Sequence, residues 1–316
     1  MFQLEDLKLK NFSYKKTICR VLILFFISLI LIGGVLYFDC IKNSIGSTLC
    51  GTFFGISLPY FISSIVDLED NKSWKASQRR LYRARLIHKE TKIRISFAYL
   101  FRIKIDGKYF LVLNSKSGKY QPVGGAYKLK TEEIQYLSEN ISVEDDDKIP
   151  IDETTKGDYR LYVKNKDLRK FVKRFDKTQY REGVDNLGRE FKEELFSTNI
   201  LDQNRFGDLK YKYCGRHMTD VQFSSYFDCY ELLLADIVEV KLNDEQEQLF
   251  RNLMEKSDQR YMFAPFEEIR TAGVKFGTND LKDVIANHSP KILGENSDKL
   301  INRNKHIEMI TVSFNS

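Results

Sequence analysis

Residues 21–38, VLILFFISLILIGGVLYF, run for eighteen positions without a charge. A helix needs about 20 residues to cross the hydrocarbon core of a bilayer, so this length and polarity mark a transmembrane candidate. Ser44 to Val66 forms a second uncharged run of 23 residues, more polar and interrupted by Gly46, Gly51, Gly55 and Pro59. Only Asp39 to Asn43 separates the two, so the pair reads as a helical hairpin. A cleaved signal peptide explains the first run less well, because no small-residue cleavage site follows it and a second apolar run does. A buried core helix competes for the second run. An in-plane helix competes for either, but neither run has the polar face such a helix requires.

Basic residues flank the hairpin at both ends. Lys8, Lys10, Lys15, Lys16 and Arg20 precede it, and Lys72, Lys75, Arg79, Arg80, Arg83, Arg85 and Lys89 follow it, whereas the connecting loop holds only Lys42 against Asp39. The positive-inside rule then places both termini in the cytoplasm. These clusters account for most of the net charge of +6 carried by the 316 residues. They imply a membrane-lipid partner, through anionic headgroups, or an anionic ligand near the membrane; DNA is not expected as a partner. Cys19, Cys40, Cys50, Cys214 and Cys229 lack metal-ligand spacing, and the four histidines form no cluster. Neither a zinc site nor a disulfide framework is indicated.

Residues 1–66 are thus read as an N-terminal tail and hairpin, and 67–92 as a basic helical linker. Trp74 and Tyr82 would lie at headgroup level, with a solvated connector as the alternative. From Ile93 the pattern changes to period two. ISFAYLFRIKI (95–105) and KYFLVLN (108–114) flank Asp106-Gly107, a dipeptide suited to a tight hairpin turn. A third strand is expected over Tyr120–Leu129, and residues 130–157, with the acidic run Glu144–Asp147, read as a surface insertion. A short strand at 159–165, an amphipathic helix at 167–175 and a helix at Leu187–Ser197 follow. Strands return at Leu209–His217 and Val221–Leu242, the latter bent. Asn243 or Asp244 caps a helix over EQEQLFRNLMEK (245–256), and FAPFEEIRTAG (263–273) and NDLKDVIANH (279–288) suggest two more. The expectation is an α+β domain over 93–295, a mixed sheet with flanking helices, and a polar tail at 296–316.

The heptad Arg189-Glu190-Phe191-Lys192-Glu193-Glu194-Leu195 carries the chemistry. On a helix, Glu190, Glu193 and Glu194 fall within about a 100° arc. Phe191, Leu195 and Leu187 occupy a neighbouring arc that can dock onto a sheet. Arg189 and Glu193 stand four apart and can pair. Three carboxylates beside one cation are costly to hold together unless a hard divalent metal joins them. Mg²⁺ takes oxygen ligands of this kind, usually together with substrate phosphates. A solvated, Arg- and Glu-rich surface helix gives the same pattern.

The heptad resembles the core of the Nudix box, Gly-x5-Glu-x7-Arg-Glu-U-x-Glu-Glu-x-Gly-U with U aliphatic, and Val123-Gly124-Gly125 resembles the Gly-Gly strand that precedes it. The resemblance implies Glu190, Glu193 and Glu194 as Mg²⁺ ligands, Glu193 and Glu194 as catalytic groups if the site is active, and Arg189 as their partner. Three departures weaken the box: Arg181 stands where the family has Glu, with Glu182 one place off; Phe175 and Phe196 replace its glycines; and 63 residues separate Gly125 from Arg189. With YLFRIKIDGKYFLVLN, YQPVGGAYK, REFKEEL, ADIVEVKLNDEQ and YMFAPFEEI, the chain is more narrowly similar to the SMODS-associated Nudix domain. Two transmembrane helices fused to such a domain look like the two-transmembrane Nudix effectors of CBASS-type antiphage systems.

That resemblance implies a bacterial inner-membrane effector that senses a cyclic oligonucleotide. Gly124, Gly125, Tyr127, Lys128, Arg181 and Arg189 would form the ligand site, with aromatics stacking on bases and cations meeting phosphates. Half-buried strand positions are the alternative for the tyrosines, Tyr120 and Tyr180 included. A metal-dependent hydrolase of nucleoside diphosphate derivatives and a non-catalytic scaffold are the competing functions. In the second span Ser47, Gly51 and Gly55 form a small-residue stripe. It suits either close packing within the hairpin or assembly of a homo-oligomer.

Overall fold

A computed structural model describes residues 2–69, 74–148, 152–153, 155–273, 283–293, 300–301 and 309–314. The chain divides into two compact units, Met1–Leu86 and Ile87–Ser316.

In the first unit, α1 (Phe2–Cys40) and α2 (Ser44–Glu69) form an antiparallel hairpin. Each contains a stretch long and apolar enough to cross a membrane, Cys19–Cys40 and Ser44–Ile65. The turn works because Lys42 adopts a left-handed φ of 55° and the Asn43 side chain accepts the Gly46 N–H, satisfying one of the donors a helix start leaves open. Close approach of the helices relies on Gly34, where a Cβ would stand 2.8 Å from the Cys50 sulfur, and on Gly46, where it would stand 2.6 Å from the Phe38 ring. Thr48, Thr52, Ser57 and Ser64 direct their hydroxyls to carbonyls of α2 itself, so these polar groups are satisfied without a water-filled lining. The basic linker contains α3 (Trp74–Arg83). Tyr82 is exposed as a headgroup anchor would be, whereas Trp74 is buried and is not free for that role.

The second unit is a mixed α+β fold. Its central strands, β1 (Lys92–Arg102) and β10 (Cys229–Val240), run parallel, with Ile93 opposite Tyr230 and Arg102 opposite Glu239. A sheet buried on both faces needs continuous rather than alternating apolar character, and β1 is buried at almost every position after Lys92. β7 (Arg160–Lys164) extends the sheet beyond β1, with β6 (Val143–Asp145) outside it; β8 (Leu209–Met218) extends it beyond β10. β5 (Gly124–Ala126) pairs with β1, and β9 (Gln222–Ser224) with β10. A smaller sheet joins β2 (Lys104–Ile105), β3 (Lys108–Asn114), β4 (Lys119–Gln121) and β11 (Tyr261–Pro265). Between β2 and β3 the Asp106-Gly107 turn takes φ of 47° and 80°.

One face of β1 is aromatic. Phe97, Tyr99 and Phe101 pack with Tyr127, Tyr159, Phe171, Phe175, Phe191 and Tyr211. On the other side Leu100 joins Leu111, Ile237, Ile269, Ile285 and Ile292. Phe171 and Phe175 come from α5 (Leu168–Lys177), whose spacing of Leu168, Phe171, Val172 and Phe175 turns four apolar residues inward. Burying a side chain of this size stabilises by about 1.5–3 kcal/mol.

Several sequence expectations need correction. The strand expected over Tyr120–Leu129 is two strands, β4 and β5, in different sheets. The 130–157 insertion carries α4 (Thr131–Asn140) and β6, and is not wholly surface. Glu133 is fully buried against Arg174, Tyr159 and Thr178, and Asp146 is buried against Arg94. Val221–Leu242 is a hairpin, β9 and β10, that turns back through Asp228 at φ 51°. Of NDLKDVIANH, residues 279–282 lie outside the described residues, and the rest is non-helical: Ile285 bridges to Tyr120, and a 3₁₀ turn follows at Ser289–Leu293. The 296–316 tail is not separate, since β12 (Leu300–Ile301) and β13 (Ile310–Val312) pair with β8. The helix over 245–256 is α7 (Asp244–Met254), with Asn243 and Gln246 forming a full capping box.

Candidate functional site

The acid heptad forms one α-turn, α6 (Arg189–Phe191), that widens into a π-turn over Lys192–Phe196. Single π-turns inside helices recur at functional sites. Phe191, Leu195 and Phe196 are buried under it. Phe196 packs on Phe191, Phe206 and Phe314, which explains an aromatic where the box has glycine. Phe175, at the other lost glycine, sits among Phe97, Tyr127 and Tyr159.

The helix docks on the Gly-Gly strand through its carboxylates. Gly124 N–H donates to Glu194 Oε2 at 2.9 Å. Gly124 has φ of +143°, and a Cβ there would stand 2.2 Å from the Tyr99 carbonyl oxygen. At Gly125 a Cβ would stand 1.9 Å from Glu190 Oε1. Both glycines are therefore required by close approach, one to backbone and one to the Glu190 carboxylate.

Arg189 closes the cluster. Its Nη1 donates to Glu190 at 2.7 Å and reaches Glu193 at 3.4 Å; its Nη2 donates to the Ala126 carbonyl at 2.8 Å and to Glu182 at 3.2 Å. Glu182 also accepts from the Tyr99 hydroxyl at 3.1 Å. The glutamate one place off the box thus makes the arginine contact, and the loop that carries it is pinned by the Tyr211 hydroxyl, which donates to Val184 O and accepts from Leu187 N–H. Burial raises the pKa values of Glu182 and Glu190, while the Arg189 charge opposes the rise.

Gly124, Gly125, Arg189, Glu190 and Glu194 come together as the sequence suggests. Of the other candidates, Lys128 and Arg181 share a cleft with Arg189, whereas Tyr127 and Tyr120 do not line it. Tyr127 is fully buried with its hydroxyl on Asp236, so it cannot stack on a base. Arg181 lies over the Phe175 ring, donates to the carbonyls of Phe175 and Glu182 through Nε and Nη1, and lines a cleft beside Arg189. Lys128 is held by Asp158 at 2.6 Å and by the Lys156 carbonyl. Tyr120 belongs to the smaller sheet and donates to Gln259 O. Sequence reasoning missed Tyr99, for which no motif signals, and read Glu182 only as a displaced box residue.

The expected Mg²⁺ set of Glu190, Glu193 and Glu194 is not assembled. Among the described residues no group of three or more His, Cys, Asp or Glu could hold a metal ion. Glu193 is half exposed at the rim, Glu190 is engaged by Arg189, and Glu194 is engaged by the Gly124 N–H. A guanidinium supplies the positive charge these acids need, and the donor set does not fit an octahedral cation.

Burial, and then the negative charges of Glu190 and Glu193, raise the Glu194 pKa to about 8, against the pull of Gly124 N–H and Arg189. The folded state therefore holds a proton that the unfolded chain releases near 4.5, and stability falls as pH rises from there towards about 8. Glu194→Gln keeps a neutral acceptor for Gly124 and should flatten that slope. Urea midpoints of the full chain in chelator at about pH 5 and about pH 8 check this; equal slopes for the two proteins would refute it.

The model of one family, the SMODS-associated NUDIX domain, matches residues 92–293, well over half of the chain. No curated protein matches it.

Proposed function

The chain belongs to the SMODS-associated NUDIX domain family, and on that premise we propose that it is a membrane effector of CBASS-type antiviral defence. Its Nudix-like unit senses a cyclic oligonucleotide, and its two apolar helices assemble to disrupt the bacterial inner membrane. The observation that carries this reading is an acid cluster closed on Arg189 in a family domain that follows two membrane-length helices. Acids occupied by a guanidinium are not free to hold the metal that hydrolytic attack needs, which favours binding without turnover. Ligand drives assembly only by binding the clustered form more tightly than the dispersed one.

The test uses the full chain in dye-loaded vesicles, titrated with cyclic di- and trinucleotides. Binding and dye release without consumption of the nucleotide are expected. The second reading, a membrane-tethered hydrolase, draws on Glu190 and Glu194 lying against the Gly-Gly strand. Robust Mg²⁺-dependent release of phosphate products, abolished by Glu194→Gln, would establish it in place of the sensor. For topology, reporters fused at Met1 and Ser316 should both score cytoplasmic, because both flanks are basic and the connecting loop is short. A periplasmic signal from either end would overturn that orientation.

A further inference from the structure

Beside the acid cluster lies an open cleft of ≈ 650 Å³, within the range of small-molecule sites. One wall is the chain at Lys128 and Lys130; the other is the loop 178–186, joined to it by a bridge between Leu129 and Arg181. Four cations line it, Lys128, Lys130, Arg181 and Arg189, against two carboxylates, Glu182 and Asp185. Two of the cations have no carboxylate partner among the described residues. Lys130 Nζ meets only the Gln179 carbonyl, at 3.4 Å, and Arg181 uses Nε and Nη1 on carbonyls, which leaves Nη2. Arg189 contributes a third unmet donor, because its Nε is buried without a hydrogen-bond partner. On the loop, Gln179 and Asn186 are exposed and line the cleft. An amide side chain offers a donor and an acceptor together, the pattern that pairs with an adenine edge.

We propose that this cleft, rather than the glutamate face of the helix, is where the nucleotide binds: Lys130, Arg181 and Arg189 take phosphodiester oxygens, and Gln179 and Asn186 read a base edge. The proposal rests on the sensor reading and gives it a location. It also gives a route from ligand to box, since Glu182 leaves the same loop to hold Arg189. Phosphate drawn to Arg189 competes with Glu182, Glu190 and Glu193 for one guanidinium.

The experiment measures binding to the full chain in detergent, with cyclic di-AMP, cyclic di-GMP, the mixed adenine–guanine cyclic dinucleotide and cyclic tri-AMP as probes. Lys130→Ala should weaken the best probe roughly tenfold or more, as expected for loss of a charged hydrogen bond. Lys130→Glu should weaken it further. The salt dependence of the affinity should also weaken when a cation is removed, because less of the binding is then screened charge attraction. Asn186→Ala should narrow the discrimination between adenine and guanine probes. Lys256→Glu makes the same charge change at an exposed site outside the cleft and should leave affinity unchanged. If the wild type binds a probe and Lys130→Glu binds it equally well, or if Lys256→Glu weakens it as much, the cleft assignment fails while the sensor survives. If the wild type binds none of the probes, the sensor reading fails and takes the cleft with it.

Discussion

Asp236→Ala should destabilise the Nudix-like unit by about 3–5 kcal/mol, the usual cost of removing one partner from a buried ion pair. Asp236 is fully buried on β10, directly opposite Arg216 on β8. Its Oδ1 accepts from Arg216 Nε at 2.8 Å and from the Tyr213 hydroxyl at 3.0 Å; its Oδ2 accepts from Arg216 Nη2 at 2.9 Å and from the Tyr127 hydroxyl at 2.7 Å. Alanine removes the acceptor that the buried Tyr127 and Tyr213 hydroxyls share and leaves the guanidinium with Asp176, at 2.6 Å, to balance it. Asp236→Asn keeps both oxygen and shape in part and should cost less. A double change of Arg216→Met with Asp236→Leu removes both charges and should recover part of the loss, because a buried pair often gains little over apolar packing. Urea-dependent proteolysis of the full chain reads the second unit directly. A shift below about 1 kcal/mol for Asp236→Ala would mean that water reaches the carboxylate and the network is not closed.

This network also shows where sequence reading stopped. Tyr127 looks like a stacking residue because its polar tip suits a cleft, yet its acceptor lies 109 positions away, and nothing local announces it. Asp146 sits in an acidic run that reads as solvated, but Arg94 on β1 draws it inside. In both cases a long-range polar partner decided burial. The split of 120–129 between two sheets was hidden for a different reason: the apolar alternation continues through Pro122-Val123, and a strand that changes sheet keeps its period. The 225–228 turn lacks glycine, with Asp228 taking the left-handed position, so the long apolar run masked a hairpin. Features with local causes were legible. Two membrane-length runs, the Asp106-Gly107 turn, a cap at Asn243 or Asp244 and the REFKEEL helix each depend on neighbours within a few residues. Within the site, the residues that meet through the Gly-Gly strand were legible. The cleft beside them was legible only through Lys128, Arg181 and Arg189; Lys130, Gln179 and Asn186 were not, because the loop 178–186 has no motif of its own.

Replacing Gly51 and Gly55 together by leucine should abolish ligand-triggered permeabilisation while leaving nucleotide affinity intact. The two glycines are exposed on α2, and a Cβ at either would meet nothing within 4 Å. They therefore do not hold the hairpin together. That is done by Gly34 against Cys50 and Gly46 against Phe38, where a Cβ would collide. A side chain starts into open space at 51 and 55 and leaves the Gly34 and Gly46 contacts in place, so loss of function at equal abundance would not report a broken hairpin. On the proposed reading, a stripe of small residues on the outer face of a span serves the close approach of another helix, since lipid gives helices no hydrophobic reason to associate. Four-carbon side chains at two successive turns would hold such a helix off, and contacts worth about 0.1–0.2 kcal/mol per atom pair would be lost along the whole crossing. The comparison pair is Gly34→Leu and Gly46→Leu, which should lower protein levels by disrupting the hairpin itself. In cells supplied with the activating nucleotide, dye uptake and protein abundance separate the two outcomes. Leakage at the wild-type rate from the Gly51→Leu, Gly55→Leu protein, at equal abundance and affinity, would show that the hairpins assemble through another face.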